Sequence, residues 1–457
     1  MRGRERRSKR KQAIKAGARV EERRLKNGMT VLLAERHSDP VVCVMLWYRC
    51  GARNEREDEA GVSHFLEHMM FKGSKSFGKG EVDRWTTELG GRNNAFTSYD
   101  HTGYWFELAS DRWEKALEIE ADRMRGLLLD PEEFAAERAV VVEELAMGLD
   151  EPWRRLSDLV AETLFERHPY RRPIIGYTDV LLALSPEDMR DYYRRFYHPG
   201  NATLVVCGDV KPSAAMRLIK KHFDSIPKGP DYATADCFRP EITQPVGEKR
   251  IRMSWDDQGQ RMIAAWPGAP VGSEDDFALD VISNVLAGGR SSRLHRLLVQ
   301  ELGLATSVAS HNDARVEAGV FWLMVECAQG TEPERIEAEI DRELQRLADE
   351  KVPARELKHV KSMIESSEAY EEETVSDLAE VLGEFAIDAD WQLAIDAVER
   401  IKAVSSIQVR EVAQRLLRVE RRVIGWCLPA ESVQVQRNAA RRKPRAKRAA
   451  RSGGGRG

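Results

Sequence analysis

The sequence contains no C-x-x-C pair, no long apolar run and no hydrophobic leader. Its six cysteines (43, 50, 207, 237, 327 and 427) are scattered. This spacing argues against a cysteine-rich metal site or a disulfide framework, and fits small buried residues in a reducing compartment. No stretch approaches the ~18–20 apolar residues of a membrane helix. The first twenty residues, "MRGRERRSKRKQAIKAGARV", lack the apolar segment of a secretory signal. A cytoplasmic protein without a membrane span is expected, and the Arg-rich start leaves organelle targeting open.

The chain is 457 residues long and 42% hydrophobic. At roughly 100–200 residues per domain, it should form two or three domains with sizeable cores. The net charge of −4 is unevenly spread. Residues 1–20 and 431–457 each carry nine Lys/Arg and one Glu, a net +8 apiece, which leaves −20 on residues 21–430. Both ends lack the apolar residues of a core and read as disordered basic tails. Such tails can contact nucleic acid weakly. The acidic body would repel nucleic acid and attract cationic ligands, such as basic peptides.

The segment 226–247, "IPKGPDYATADCFRPEITQPVG", holds four prolines and two glycines and is the best linker in the chain. The expected division is a domain over 21–226, a linker over 227–247 and a second domain over 248–430. In the first, "RRLKNGMTVLLAE" reads as strand, Asn-Gly turn and strand, and "PVVCVMLWYRCGAR" as a third strand. Two helical stretches follow, ending at "EVDRWTTELGG". "NAFTSYDHTGYWFELA" alternates as a strand pair, helices fill 111–128, 131–150 and 152–166, and "NATLVVCGDV" closes as a buried strand. The second repeats the order. "RMIAAWPG" is a strand, "DDFALDVISNVLAGG" and "SSRLHRLLVQELG" are helices, and "TSVASHNDARVEAGVFWLMVEC" is a strand pair. Helices over 333–349, 353–369 and 374–387 and the strand "RRVIGWCLP" complete it. Matching α/β order predicts an internal duplication.

Chemistry concentrates in "GVSHFLEHMMFKG", residues 61–73. On a helix His64 and His68 share one face, with Glu67 beside them. Phe65, Leu66, Met69 and Met70 can fill the core face, so packing does not require the histidines. Neutral imidazoles suit zinc, and a catalytic zinc keeps three protein ligands and one open position. Glu67 would then be the general base for a water that zinc acidifies. The third ligand should come from "EEFAAERAVVVEELAMGLDEP". Glu137 and Glu144, seven apart, share a face, whereas Glu143 is turned about 100° away. Glu144 is the favoured ligand, with Glu137 as catalytic helper or support.

H-x-x-E-H is the inverted zinc-peptidase signature. With it, the chain resembles the pitrilysin (insulinase-like) family of zinc metallopeptidases over residues 22–430. The family's third ligand lies in an "ER-x-V-V-x-E-E" helix, which "ERAVVVEE" matches, and that resemblance puts the ligand at Glu144 and the auxiliary glutamate at Glu137. The family's "NAxT" edge strand, where substrate backbone pairs, maps to Asn94, Ala95, Phe96 and Thr97. Its "G-x-R-x-E" turn maps to Gly51-Ala52-Arg53-Asn54-Glu55. The resemblance implies an α+β fold: two homologous domains, each a mostly antiparallel sheet with helices against one face. It also implies one Zn2+ per chain and peptide hydrolysis inside a clam-like chamber, with the substrate added as a strand.

One departure stands out. Active single-chain relatives carry an Arg and a Tyr in a pattern like "LREKxGLAYSV". The matching stretch is "LVQELGLATSV", with Val299 and Thr306 at those positions. Some bacterial members divide the labour between a zinc-bearing subunit and a partner with the Arg/Tyr pair. The chain resembles the zinc-bearing half, so a heterodimer with a homologous subunit is expected. The alternatives are a non-catalytic scaffold of the same fold and a mitochondrial-type presequence-processing subunit.

Overall fold

The computed structural model describes residues 12–15, 17–231, 246–370 and 372–430. Most of the proline-rich linker and the tails at 1–11 and 431–457 lie outside them, and with them any nucleic-acid contact through the tails. The strands are β1 (Gln12–Lys15), β2 (Ala18–Arg24), β3 (Thr30–Glu35), β4 (Val41–Tyr48), β5 (Arg92–Thr97), β6 (Thr102–Ala109), β7 (Ala202–Gly208), β8 (Lys249–Trp255), β9 (Arg261–Pro267), β10 (Ala305–Asp313), β11 (Val320–Cys327) and β12 (Val423–Pro429). The helices are α1 (Val62–Met69), α2 (Glu81–Glu88), α3 (Glu114–Gly126), α4 (Pro131–Leu149), α5 (Pro152–Phe165), α6 (Thr178–Ala183), α7 (Pro186–Phe196), α8 (Pro212–Phe223), α9 (Glu274–Ala287), α10 (Pro333–Asp349), α11 (Ala354–Tyr370), α12 (Val375–Asp388), α13 (Gln392–Ala403) and α14 (Ser406–Leu416). A π-wound turn, His295–Glu301, stands where a regular helix is expected.

Pairing starts at Gln12, inside the stretch read as a basic tail. The correction has a simple cause: Ala18 and Val20 alternate with charged residues and are fully buried, so β2 belongs to the sheet. At the Asn27-Gly28 turn between β2 and β3, Gly28 has φ +94°, the left-handed region that glycine enters without strain.

The strands form two sheets, ordered β1-β2-β3-β7-β4-β6-β5 and β10-β11-β9-β12-β8. Read from one edge, β5-β6-β4-β7-β3 has the same topology as β10-β11-β9-β12-β8. In each the one parallel pair is β3·β7 or β8·β12. Both sheets are otherwise antiparallel, so the duplication expected from element order is present in the connectivity.

The helices do not cover only one face of each sheet. In the first sheet Val31, Leu33, Val44 and Leu46 face a core with α1, α3, α7 and α8. The alternate residues Leu32, Cys43, Met45, Trp47 and Val205 face Leu378, Ala379 and Leu382 of α12, a helix from the second half. Reciprocally, Leu156, Val160 and Leu164 of α5 cover Ile263, Ala265, Val320 and Val423 of the second sheet. Near-continuous apolar strands such as "VVCVMLWY" and "ATLVVCG" need cover on both faces, and each half lends the other a helix to supply it.

Polar groups close the seam. The turn between β10 and β11 reaches into the first half, where Arg53 Nη1 lies 3.0 Å from Glu317 Oε1 and Arg53 Nε 2.8 Å from Asp100 Oδ1. Tyr170 Oη donates to Asp100 at 2.7 Å, and His168 Nε2 lies 2.7 Å from Glu317 Oε2. In the second half, Arg293 is buried and pairs with Glu343 and Glu356. Five of the six cysteines are free and buried; Cys237 lies outside the described residues. Among the described residues no helix is long and apolar enough to cross a membrane.

Candidate metal centre

Helix α1 starts at Gly61 in the left-handed region, where a Cβ would come within 2.5 Å of the Ile175 carbonyl oxygen. Its first amides are held by Glu55, which accepts from Gly61 N at 2.9 Å and Ser63 N at 2.8 Å. This is the glutamate of the G-x-R-x-E turn, here serving as a helix cap. Burial pushes its carboxyl up to about 7, against those two amides and Arg172. Val62, Phe65, Leu66 and Met69 are buried in the first core, which leaves His64 and His68 on the opposite face, toward α4.

Helix α4 begins at Asp130, whose side chain accepts from Glu132 N and Glu133 N. Val141 and Leu145 anchor it in the core. The seven-residue spacing then brings both Glu137 and Glu144 to α1, while Glu143 is exposed. Glu144 Oε1 lies 3.8 Å from His64 Nε2, and Glu144 Oε2 lies 3.6 Å from His68 Nε2. One ligand atom from each of the three residues lies within 4.8 Å of the others, the sole such group among the described residues. Tetrahedral ligands at ~2.1 Å from one ion would be about 3.4 Å apart, so the two His–Glu144 distances are within a few tenths of an ångström of that spacing, and the widest separation in the group must close by up to about 1.4 Å. Burial, His68 and Arg154 lower the His64 pKa to about 4, which leaves a neutral imidazole, the ligating form. Donor type and spacing therefore fit zinc.

Glu137 does not reach this group directly. Its Oε1 lies 2.9 Å from His68 Nδ1 and its Oε2 2.5 Å from Lys72 Nζ. Burial alone would raise its pKa, but the bonds from Lys72 and His68 hold it below the ordinary value. Lys72 is absent from the sequence reading. Its spacing of four from His68 is the one signal that could have found it; the helix ends at Met69, and a turn brings the side chain to the histidine face.

Glu67 points the other way around α1, toward β5. Thr97 Oγ1 donates to Glu67 Oε2 at 2.5 Å. Burial raises the Glu67 pKa, Thr97 and His68 oppose the shift, and Glu144 adds to it. Among the described residues strand β5 pairs with β6 alone and ends the sheet, so no described strand pairs with its outer backbone edge. Its four expected substrate residues divide between faces. Thr97 bonds Glu67, Ala95 packs on the first core, and Asn94 is exposed. Phe96 turns away from the site and packs on Trp47, ring centroids 5.1 Å apart.

Residues 30–178 match the family model described as insulinase (peptidase family M16), and residues 183–364 match the one described as peptidase M16 inactive domain. A zinc protease of Helicobacter pylori, PqqE, is 30% identical over 376 residues, which span 80% of this chain and 83% of that protein. A protease structure from Helicobacter pylori superposes with a TM-score of 0.84 at 27% identity, over 90% of this chain and 99% of that one. The periplasmic protease PqqL of Escherichia coli shares the fold, with a TM-score of 0.75 at 20% identity over 93% of this chain but 50% of that longer one. A family-specific pair of models and a close match along four-fifths of the chain leave one assignment: the chain belongs to the insulinase-like (pitrilysin) peptidases, peptidase family M16.

Proposed function

We propose that the chain is the zinc-bearing subunit of an endopeptidase that cuts peptides or short unfolded segments. The observation that carries this reading is the convergence of His64 Nε2, His68 Nε2 and a Glu144 oxygen, with Glu67 on the same short helix. These three residues would hold Zn2+, which when bound acidifies water and polarises a carbonyl. Glu67 takes the proton of the attacking water on its carboxylate and passes it to the leaving amine. Thr97 fixes the Glu67 carboxyl in place for that transfer. The free edge of β5 binds the peptide backbone as an added strand, in line with the alternation of its exposed residues. The −20 body favours basic peptides.

The chain offers no second-half donor for a developing oxyanion at the positions noted above. Val299 packs on the second core, and Thr306 is exposed, with its hydroxyl donating to the Glu326 carbonyl. A homologous partner closing over β5 would supply that donor and complete a chamber. PqqL, about twice the length of this chain, supports such pairing at the level of fold.

The test is peptidase activity of the zinc-loaded chain alone on a quenched peptide library, beside Glu67→Gln. Stoichiometric zinc with negligible activity, restored by a partner carrying Arg and Tyr, is the expected outcome. Strong activity of the chain alone, abolished in Glu67→Gln, would keep the peptidase and remove the partner. Failure to bind zinc would favour a scaffold.

A further inference from the structure

We infer that Lys72 is a positioning residue of the metal centre: through Glu137 it sets the ring orientation and tautomer of His68. The inference rests on the zinc reading of His64, His68 and Glu144. After α1 ends at Met69, the chain makes a tight turn in which Phe71 N donates to His68 O and Lys72 N to Met69 O. That turn folds the Lys72 side chain back along the histidine face of α1 onto α4. Its ammonium donates to Glu137 Oε2 at 2.5 Å, and the other oxygen of the same carboxylate is 2.9 Å from His68 Nδ1.

The geometry constrains more than one contact would. Glu137 is 7% exposed, so water does little to hold its carboxylate. A single donor lets a carboxylate rotate about it; donors on both oxygens fix its plane. An ionised carboxylate only accepts, so Nδ1 of His68 is the protonated nitrogen facing it, and in the neutral, ligating ring Nε2 keeps the lone pair. That lone pair is on the atom 3.6 Å from Glu144 Oε2. His64 is arranged otherwise: among the described residues its buried Nδ1 has no hydrogen-bond partner. His68 is therefore the ligand whose donor atom is preset before any ion arrives, and Lys72 holds the group that presets it.

The plain alternative is that Lys72 merely ties α1 to α4. The two differ in what Lys72→Met does to His68. The experiment uses the full chain and three readouts: zinc affinity by chelator competition, the His68 tautomer by 15N–1H NMR of the metal-free protein, and melting temperature. The expected result is about a tenfold or greater loss of zinc affinity, a mixed His68 tautomer and a nearly unchanged melting temperature. Lys72→Arg should restore both zinc affinity and tautomer. Lys72→Met added to Glu137→Gln should cost nothing further, because both act through one carboxylate. Unchanged affinity and tautomer in Lys72→Met, or fully additive losses in the double variant, would overturn the inference. If the wild-type chain takes up no zinc, the zinc reading has failed, and the metal-free tautomer comparison still decides what Lys72 does.

Discussion

Gly383 of α12 lies against the indole of Trp47: a Cβ at residue 383 would come within 2.1 Å of Trp47 Nε1 and 2.3 Å of Cε2. One residue belongs to each half, so this contact fixes how closely the exchanged helix sits on the first sheet. Trp47 is 1% exposed and also packs on Phe96 and His101, so the ring has no free space to move into.

Gly383→Ala should therefore destabilise. In an exposed helix the same change gains about 0.8–1 kcal/mol. Here overpacking against a rigid ring should cost about 1–3 kcal/mol and reverse the sign. Urea denaturation measures it. A stabilised variant would show that α12 is not seated on Trp47.

That seating also marks the limit of what the sequence could reveal. Strand alternation, the Asn-Gly turn and the matched order of elements are local signals, and each appears in the structure as β2–β3, β5–β6 and the repeated strand order. The Glu137/Glu144 face of α4 was legible because it follows from 3.6-residue periodicity. Which sheet an amphipathic helix covers is a tertiary choice, so the exchange of α5 and α12 was not visible. Helices α13 and α14 were missed altogether between two stronger signals. The family resemblance put Thr97 with the substrate-binding strand; only the packing of β5 on α1 shows that its hydroxyl meets Glu67.

A second prediction concerns pH. His101, 5% exposed, lies 2.9 Å from Asp388 Oδ2 across the seam. Burial lowers the His101 pKa, but Asp388, Glu384 and Asp100 outweigh it, so the net shift is upward from 6.5. A raised folded-state pKa contributes stability that is full below the unfolded value and is lost as pH rises through the folded one. The stability difference between wild type and His101→Gln should thus be largest near about pH 6 and shrink through the alkaline range. A difference that stays constant from about pH 6 to pH 9 would mean the pair contributes by shape rather than charge.

Thr97→Val separates holding the base from holding the ion. The hydroxyl contacts Glu67 and none of the three proposed ligands. Loss of a hydrogen bond to a charged group costs ~1.5–3 kcal/mol, so kcat of the partnered enzyme should fall roughly 10- to 100-fold. Zinc content and KM should stay near wild type. Lost zinc would instead assign Thr97 to the integrity of α1.

The proposal that a partner supplies the oxyanion donors can be tested within one chain. Val299→Arg and Thr306→Tyr together place the absent groups on the π-wound turn and on β10, the edge strand of the second sheet. A lost oxyanion donor typically costs ~100- to 1000-fold in rate, so even an imperfect graft has room to help. We expect the double variant alone to gain about tenfold or more in peptidase activity, and the gain to vanish with Glu67→Gln. Val299 packs on the second core, so its replacement also risks the fold, and melting temperature and zinc content must be read alongside. No gain in a folded, zinc-loaded variant would sink the assignment of the missing donors to these two positions. A gain would mean that the zinc half and its partner differ by a few side chains on a shared scaffold, and that catalytic dependence on a second subunit rests on those side chains rather than on the fold.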